Sequence, residues 1–189
     1  MKKILAFVSC VILIFFIYIF TRDKKTLYFK VADCNNNIVD NKVIKYLDSK
    51  DKLEKYILYR NMNNYRIIDL INDINNNREI TYKGKNYTIN NLLVKSELIV
   101  LNIGHNDIMY YSLKDADMYS YINGLAKDID NLFFLIREKS KENIVFLFDY
   151  EIEKEYYDYF YDKLSIICEK YNINLLKKNK LLNYVKDIY

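Results

Sequence analysis

The chain has 189 residues, 51% of them hydrophobic, which is enough for one domain of ordinary size with its own core and excludes disorder along its length. Its net charge of +4 owes much to Lys2, Lys3 and Arg22, which flank an N-terminal apolar stretch; the remainder is close to neutral and carries no electrostatic footprint for nucleic acid. Three cysteines and one histidine exclude a disulfide framework and a His-rich or thiolate metal centre, no Asp-x-Asp-x-Asp-Gly loop supports a carboxylate cation site, and neither metal nor cofactor is expected. Proline and tryptophan are absent and Gly numbers 3 beside many Asn, Lys, Ile and Tyr, so the runs Asn35-Asn36-Asn37 and Asn75-Asn76-Asn77 are read as turns of a biased composition.

Ile4 to Phe20 is an uninterrupted apolar run with Lys2-Lys3 before it and Thr21-Arg22-Asp23-Lys24-Lys25 after it, close to the length a bilayer demands. Bulky Phe, Tyr and Ile continue to its polar boundary, where a cleavable signal would show small residues. The pattern predicts an uncleaved signal-anchor over residues 1–23, with the membrane as partner, in front of a single soluble domain over 24–189. Phe7-Val8-Ser9-Cys10 is similar to a lipoprotein box, yet the apolar run extends well past Cys10, which marks a cysteine buried in the membrane. Basic residues at both ends leave orientation open by charge alone. One N-terminal anchor before one domain suits an extracytoplasmic protein.

Leu27 to Ala32 reads as a buried strand, Asp40 to Leu53 as an amphipathic helix and Tyr56 to Arg60 as a second strand. Arg66 to Asn75 carries a helical stripe of Ile67, Ile68, Leu70, Ile71 and Ile74, and Ile80 to Ile89 alternates around Gly84 as a hairpin. Asn90 to Lys95 fits a short helix, and Glu97 to Ile103 is the clearest buried strand, stopping at Gly104. A long helix over Asp115 to Lys139, a strand over Asn143 to Phe148, a helix over Glu153 to Tyr171, a strand over Ile173 to Leu176 and a helix around Leu181 and Val185 follow. The alternation implies right-handed parallel crossovers and a doubly wound, flavodoxin-like α/β sandwich. Ligands of such sheets bind at the carboxyl edge, which directs attention to the residues after Val31, Tyr59, Ile103 and Phe148. The tyrosines at 156, 157, 159 and 161 are read as core and solvated helix surface.

Ser96-Glu-Leu-Ile-Val-Leu-Asn-Ile-Gly-His-Asn-Asp-Ile108 resembles the third block of the SGNH/GDSL hydrolases, a buried strand running into Gly-x-Asn-Asp, with Gly104, Asn106 and Asp107 matching. Asn64-Tyr-Arg-Ile-Ile-Asp-Leu-Ile-Asn-Asp-Ile74 is similar to the Gly-Tyr-Arg-x-x-Asp-Leu segment after the second strand of the small membrane-anchored members. The resemblance covers most of residues 27 to 176 and implies a three-layer sandwich with an esterase or acyl-transfer site. A serine attacks the carbonyl, an Asp-x-x-His pair activates it, and a backbone N–H with an asparagine side chain stabilises the oxyanion.

The match is incomplete where the chemistry matters most. At the end of the first strand Ala32-Asp33-Cys34 stands where the resemblance implies Gly-Asp-Ser, so Cys34 holds the nucleophile position and Asp33 is retained as a binding residue beside Gly104. Asn64 replaces the second-block glycine, keeping a backbone N–H for the oxyanion at some cost in access to positive φ, and Asn106 supplies the oxyanion side chain. After Leu176 no Asp-x-x-His occurs. His105 occupies the variable position of Gly-x-Asn-Asp, and strand alternation predicts that it faces away from a pocket faced by Asn106. Asp107 is read as a local turn residue, Asp187 as a solvated helix charge, and a Cys34–Cys168 disulfide stays open.

The expectation is therefore a catalytically degenerate, membrane-anchored SGNH-like protein that binds an acyl or glycan ligand of the cell envelope. The alternatives are an ester hydrolase or acyltransferase using Cys34, a truncated hydrolase reading frame, and a structural membrane-tethered interaction protein.

Overall fold

The computed structural model describes residues 25–33, 37–60, 64–112 and 117–189. The expected membrane helix and Cys34 lie outside the described residues, among which no helix is long and apolar enough to cross a membrane. In chain order the elements are β1 (Thr26–Ala32), α1 (Asn37–Ser49), β2 (Leu53–Arg60), α2 (Ile67–Asn75), β3 (Glu79–Tyr82), β4 (Lys85–Thr88), α3 (Ile89–Lys95), β5 (Leu98–Asn102), α4 (His105–Ser112), α5 (Met118–Lys139), β6 (Asn143–Leu147), α6 (Lys154–Lys170), β7 (Asn174–Leu176), a single 3-10 turn (Lys178–Lys180) and α7 (Leu181–Ile188).

Five strands form a parallel sheet in the order β2-β1-β5-β6-β7, the flavodoxin-like order in which the chain first winds one way from β1 and then the other. The topological switch falls between β1 and β5, whose carboxyl ends define the crevice where such folds take ligands. A sheet covered on both faces needs strands that are apolar on both sides, and every residue of β1 and β5 is buried. On one face Phe29, Val31, Ile99, Leu101, Ile144 and Phe146 pack under α2, α3, α5 and α6. On the other, Tyr28, Leu98, Val100, Val145 and Leu147 meet Val43 and Leu47 of α1 and Leu181 and Val185 of α7.

One cation interrupts this second face. Lys30 is 1% exposed, and its Nζ lies 2.5 Å from Asp40 Oδ1 in the first turn of α1. The Tyr28 hydroxyl donates to the same oxygen at 3.4 Å. The pair ties the start of α1 to the middle of β1.

Element ends depart from the sequence reading where local backbone conformation decides. Asp51, at φ +53, stops α1 before Leu53, which opens β2 instead of closing the helix. The small hairpin turns at Lys83 and Gly84, both at positive φ, a two-residue connection whose twist suits antiparallel strands. Asp117 caps α5, accepting from the N–H groups of Tyr119 and Ser120. Tyr156, Tyr157 and Tyr159 pack half-buried against the core and Tyr161 is exposed, as expected of that stripe. Cys168 is a free, buried thiol whose pKa burial raises to about 12; the other half of the Cys34–Cys168 pair left open by the sequence lies outside the described residues. Asp187 is exposed on α7.

Candidate functional site

At the carboxyl edge the chain leaves β1 at Asp33 and β5 at Asn102, and the backbone N–H of Asp33 still pairs with the Asn102 carbonyl at 3.1 Å. The Asp33 carboxylate then reaches across: Oδ2 accepts from the N–H of Gly104 at 2.8 Å and of Asn106 at 3.1 Å. A carboxylate at the start of α4 is where the dipole and the unpaired N–H groups of that helix favour an anion. Asp33 is 3% exposed, and its burial raises the carboxyl pKa against the opposing pull of these N–H groups and of His105.

Gly104 is required by this geometry twice over. Its φ is +109, and a Cβ on it would stand 2.5 Å from the Tyr150 hydroxyl, which donates to the Ile103 carbonyl at 2.6 Å. Tyr150 itself follows β6, so three strand ends meet at this point.

Beyond His105, Asn106 and Asp107 grip the start of α2. Asn106 Nδ2 donates to the Tyr65 carbonyl at 3.0 Å, and Asp107 Oδ2 accepts from the Ile67 N–H at 3.1 Å. Asp107 is thus a long-range bracket across 40 residues and not the local turn residue expected from sequence. Burial, with smaller contributions from Asp33 and Asp128, raises its pKa to about 6 against the lowering effects of the Ile67 N–H and Arg66. The segment it grips is fixed from the other side as well: Tyr65 and Tyr59 both donate to Asp73 Oδ2, at 2.6 and 2.7 Å, while Arg78 pairs with Oδ1 at 3.0 Å.

Asn64 adopts φ +53, so the position where the resemblance implies glycine keeps its left-handed backbone with the side chain that tolerates it best after glycine. Asn64 and Asn106 line one cleft of about 490 Å³ with Arg66, Asp69, His105 and Tyr110. His105 therefore faces the same cavity as Asn106, contrary to the alternation expected of a strand. The reason is that α4 begins at His105, and successive side chains at a helix start fan through about 100° instead of 180°. Of the expected site residues Asn64 and Asn106 line this cleft, Asp33 and Gly104 are buried, with Asp33 joining Gly104 to Asn106 by hydrogen bonds, and Cys34 falls outside the described residues.

Arg66 and Tyr110 were not singled out by sequence. The Arg66 N–H donates to Asp69 Oδ2 at 2.9 Å, which caps α2, and its guanidinium lies over the Tyr110 ring at 4.7 Å. The donors of Asn64, Asn106 and Arg66 face the acceptor Asp69 and the imidazole of His105, a set suited to a polar, oxygen-rich ligand. Among the described residues no group of three or more His, Cys, Asp or Glu side chains could hold a metal ion. No family model matches the chain, and no curated protein matches it.

Proposed function

We propose that the chain is a membrane-anchored, extracytoplasmic SGNH-hydrolase-like protein whose carboxyl-edge cleft binds an acyl or glycan ligand of the cell envelope without hydrolysing it. One observation carries this reading: Asn64 and Asn106 line one cleft, and the buried Asp33 joins the buried Gly104 to Asn106 by hydrogen bonds at the carboxyl ends of β1 and β5. One N–H of the Asn106 amide is spent on Tyr65, and the other, which bonds nothing among the described residues, is available to a ligand oxygen. The absence of hydrolysis rests on the missing base. Lys177 and the 3-10 turn Lys178–Lys180 follow β7 and hold no Asp-x-x-His pair, and the one histidine of the chain, His105, lies in α4.

The test is turnover of p-nitrophenyl acetate by the full chain in detergent, beside Cys34→Ala, Asn106→Ala and His105→Ala. Equal rates in all four, with saturable binding of an O-acetylated oligosaccharide, support a binding protein. A second reading, a thiol ester hydrolase, is favoured by His105 lining the cleft; turnover abolished in Cys34→Ala and His105→Ala would establish it and overturn the first.

A further inference from the structure

Beside the cleft lies a second groove of about 340 Å³, between the start of α2, α4 and α5, and the two cavities adjoin at Arg66 and Tyr110, which line both. Its walls hold an unspent donor and an unspent acceptor. The Arg66 guanidinium, half-buried, has five N–H groups and forms no hydrogen bond or ion pair among the described residues; it is held by the Tyr110 ring and by a backbone pinned through Asp69. Across the groove Asp128 of α5 is half-buried, its carboxyl pKa raised by that burial, and its oxygens take no hydrogen bond among the described residues. The two charges sense each other without forming a salt bridge.

Aromatic surface completes the set. Tyr110 is 46% exposed, and Tyr111 and Tyr121 stack at 3.5 Å, their hydroxyls tied to the carbonyls of Asp117 and Asp107. Gly124 lines the same groove in the interior of α5, where glycine is a poor helix former. A Cβ added there would meet nothing within 4 Å, so the space above it belongs to the groove.

A strong anion would be repelled by Asp69, Asp107 and Asp128, and an apolar chain would strand the guanidinium and carboxylate. A ring bearing both hydroxyl donors and acceptors on an apolar C–H face satisfies every wall. We propose that this groove is a subsite for a neutral pyranose ring, with Arg66 donating to and Asp128 accepting from its hydroxyls and Tyr110 against its C–H face. This deepens the binding reading above: the ligand is a glycan, and the Asn106 cleft takes the substituent it carries.

The experiment is saturation-transfer NMR and titration of the full Cys34→Ala chain in detergent with cellotetraose, chitotetraose and maltotetraose, beside Asp128→Asn, Tyr110→Ala and Gly124→Leu. Binding of at least one of the three is expected, weakened roughly tenfold or more by Asp128→Asn and Tyr110→Ala. Gly124→Leu should abolish binding while thermal stability holds or rises, which separates a blocked groove from a damaged fold. Failure of all three sugars to bind, or binding that the three substitutions leave unchanged, overturns the proposal. Because these readouts are taken without Cys34, a result against the subsite stands apart from any result on ester turnover.

Discussion

The hydroxyl of Tyr150 occupies the space where residue 104 would carry a side chain, 2.5 Å from an ideal Cβ, and that same hydroxyl donates to the carbonyl of Ile103. Two strand ends are locked together by the absence of one methyl group. Gly104→Ala should therefore cost about 2–4 kcal/mol, from the clash and from a φ of +109 that alanine rarely adopts. Adding Tyr150→Phe should restore part of the loss by removing the hydroxyl while the ring remains, and a double-mutant cycle in urea unfolding measures the coupling. Additive effects would show that the contact is unimportant.

Lys30 and Asp40 predict a different signature. Lys30→Met leaves a carboxylate buried with a tyrosine hydroxyl and no cation opposite it, and should destabilise by about 3–5 kcal/mol. The double variant Lys30→Met with Asp40→Leu removes both charges and should recover most of that loss, since apolar replacement of a whole buried pair is commonly neutral. Chemical unfolding of the three proteins side by side decides it.

The sheet was legible because its central strands are continuous apolar runs: Leu98–Asn102 and Asn143–Leu147 could be little else, and their alternation with helical stripes at Ile67 to Ile74 implied the parallel order. The site was legible only to the ends of those strands. Asp33 and Gly104 follow the carboxyl ends of β1 and β5, as the strand reading implied, and Asn64 and Asn106 line a cleft beside them. What was missed turns on α4, whose start at His105 changes the angle between neighbouring side chains and brings imidazole and amide to one cleft. The short helix announces itself poorly, since Asp107 and Ile108 are buried while Met109 and Tyr110 are exposed. Nor does a sequence show that Asp107 will meet Ile67, because that contact exists only once β5 is seated beside β1. Arg66, which precedes α2, and Asp128 of α5 lie 62 positions apart, and nothing in local pattern joins them.

Asp73 should prove a keystone of the cleft although it does not line it. Asp73→Ala strands two tyrosine hydroxyls and a guanidinium, and should cost about 3–4 kcal/mol. Asp73→Asn, which keeps one acceptor, should cost about half as much. Because Tyr65 carries the carbonyl that holds Asn106, both variants should also weaken ligand binding, read by titration under conditions where each remains folded. Unchanged affinity in the folded Asp73→Asn protein would show that the tyrosine pair does not position Asn106.

Asp107 makes stability depend on pH in a direction opposite to that of an ion-paired carboxylate. Its pKa is raised to about 6 in the folded chain, chiefly by burial, against about 3.9 when unfolded. Between those values the folded state holds a proton that the unfolded state has lost, so stability falls as pH rises from about 4 to 6, by about 3 kcal/mol in total. Asp33, also raised, acts with the same sign. Asp107→Asn keeps an oxygen to accept the Ile67 N–H but cannot ionise. The variant should therefore be more stable than the parent at pH 7, by about 1–2 kcal/mol once the cost of burying an extra amide N–H is included, and should show no advantage at pH 4. Urea midpoints measured at half-unit intervals from pH 4 to 7 give the comparison. Parallel pH profiles for the two proteins would show that Asp107 keeps an ordinary carboxylate pKa in the fold.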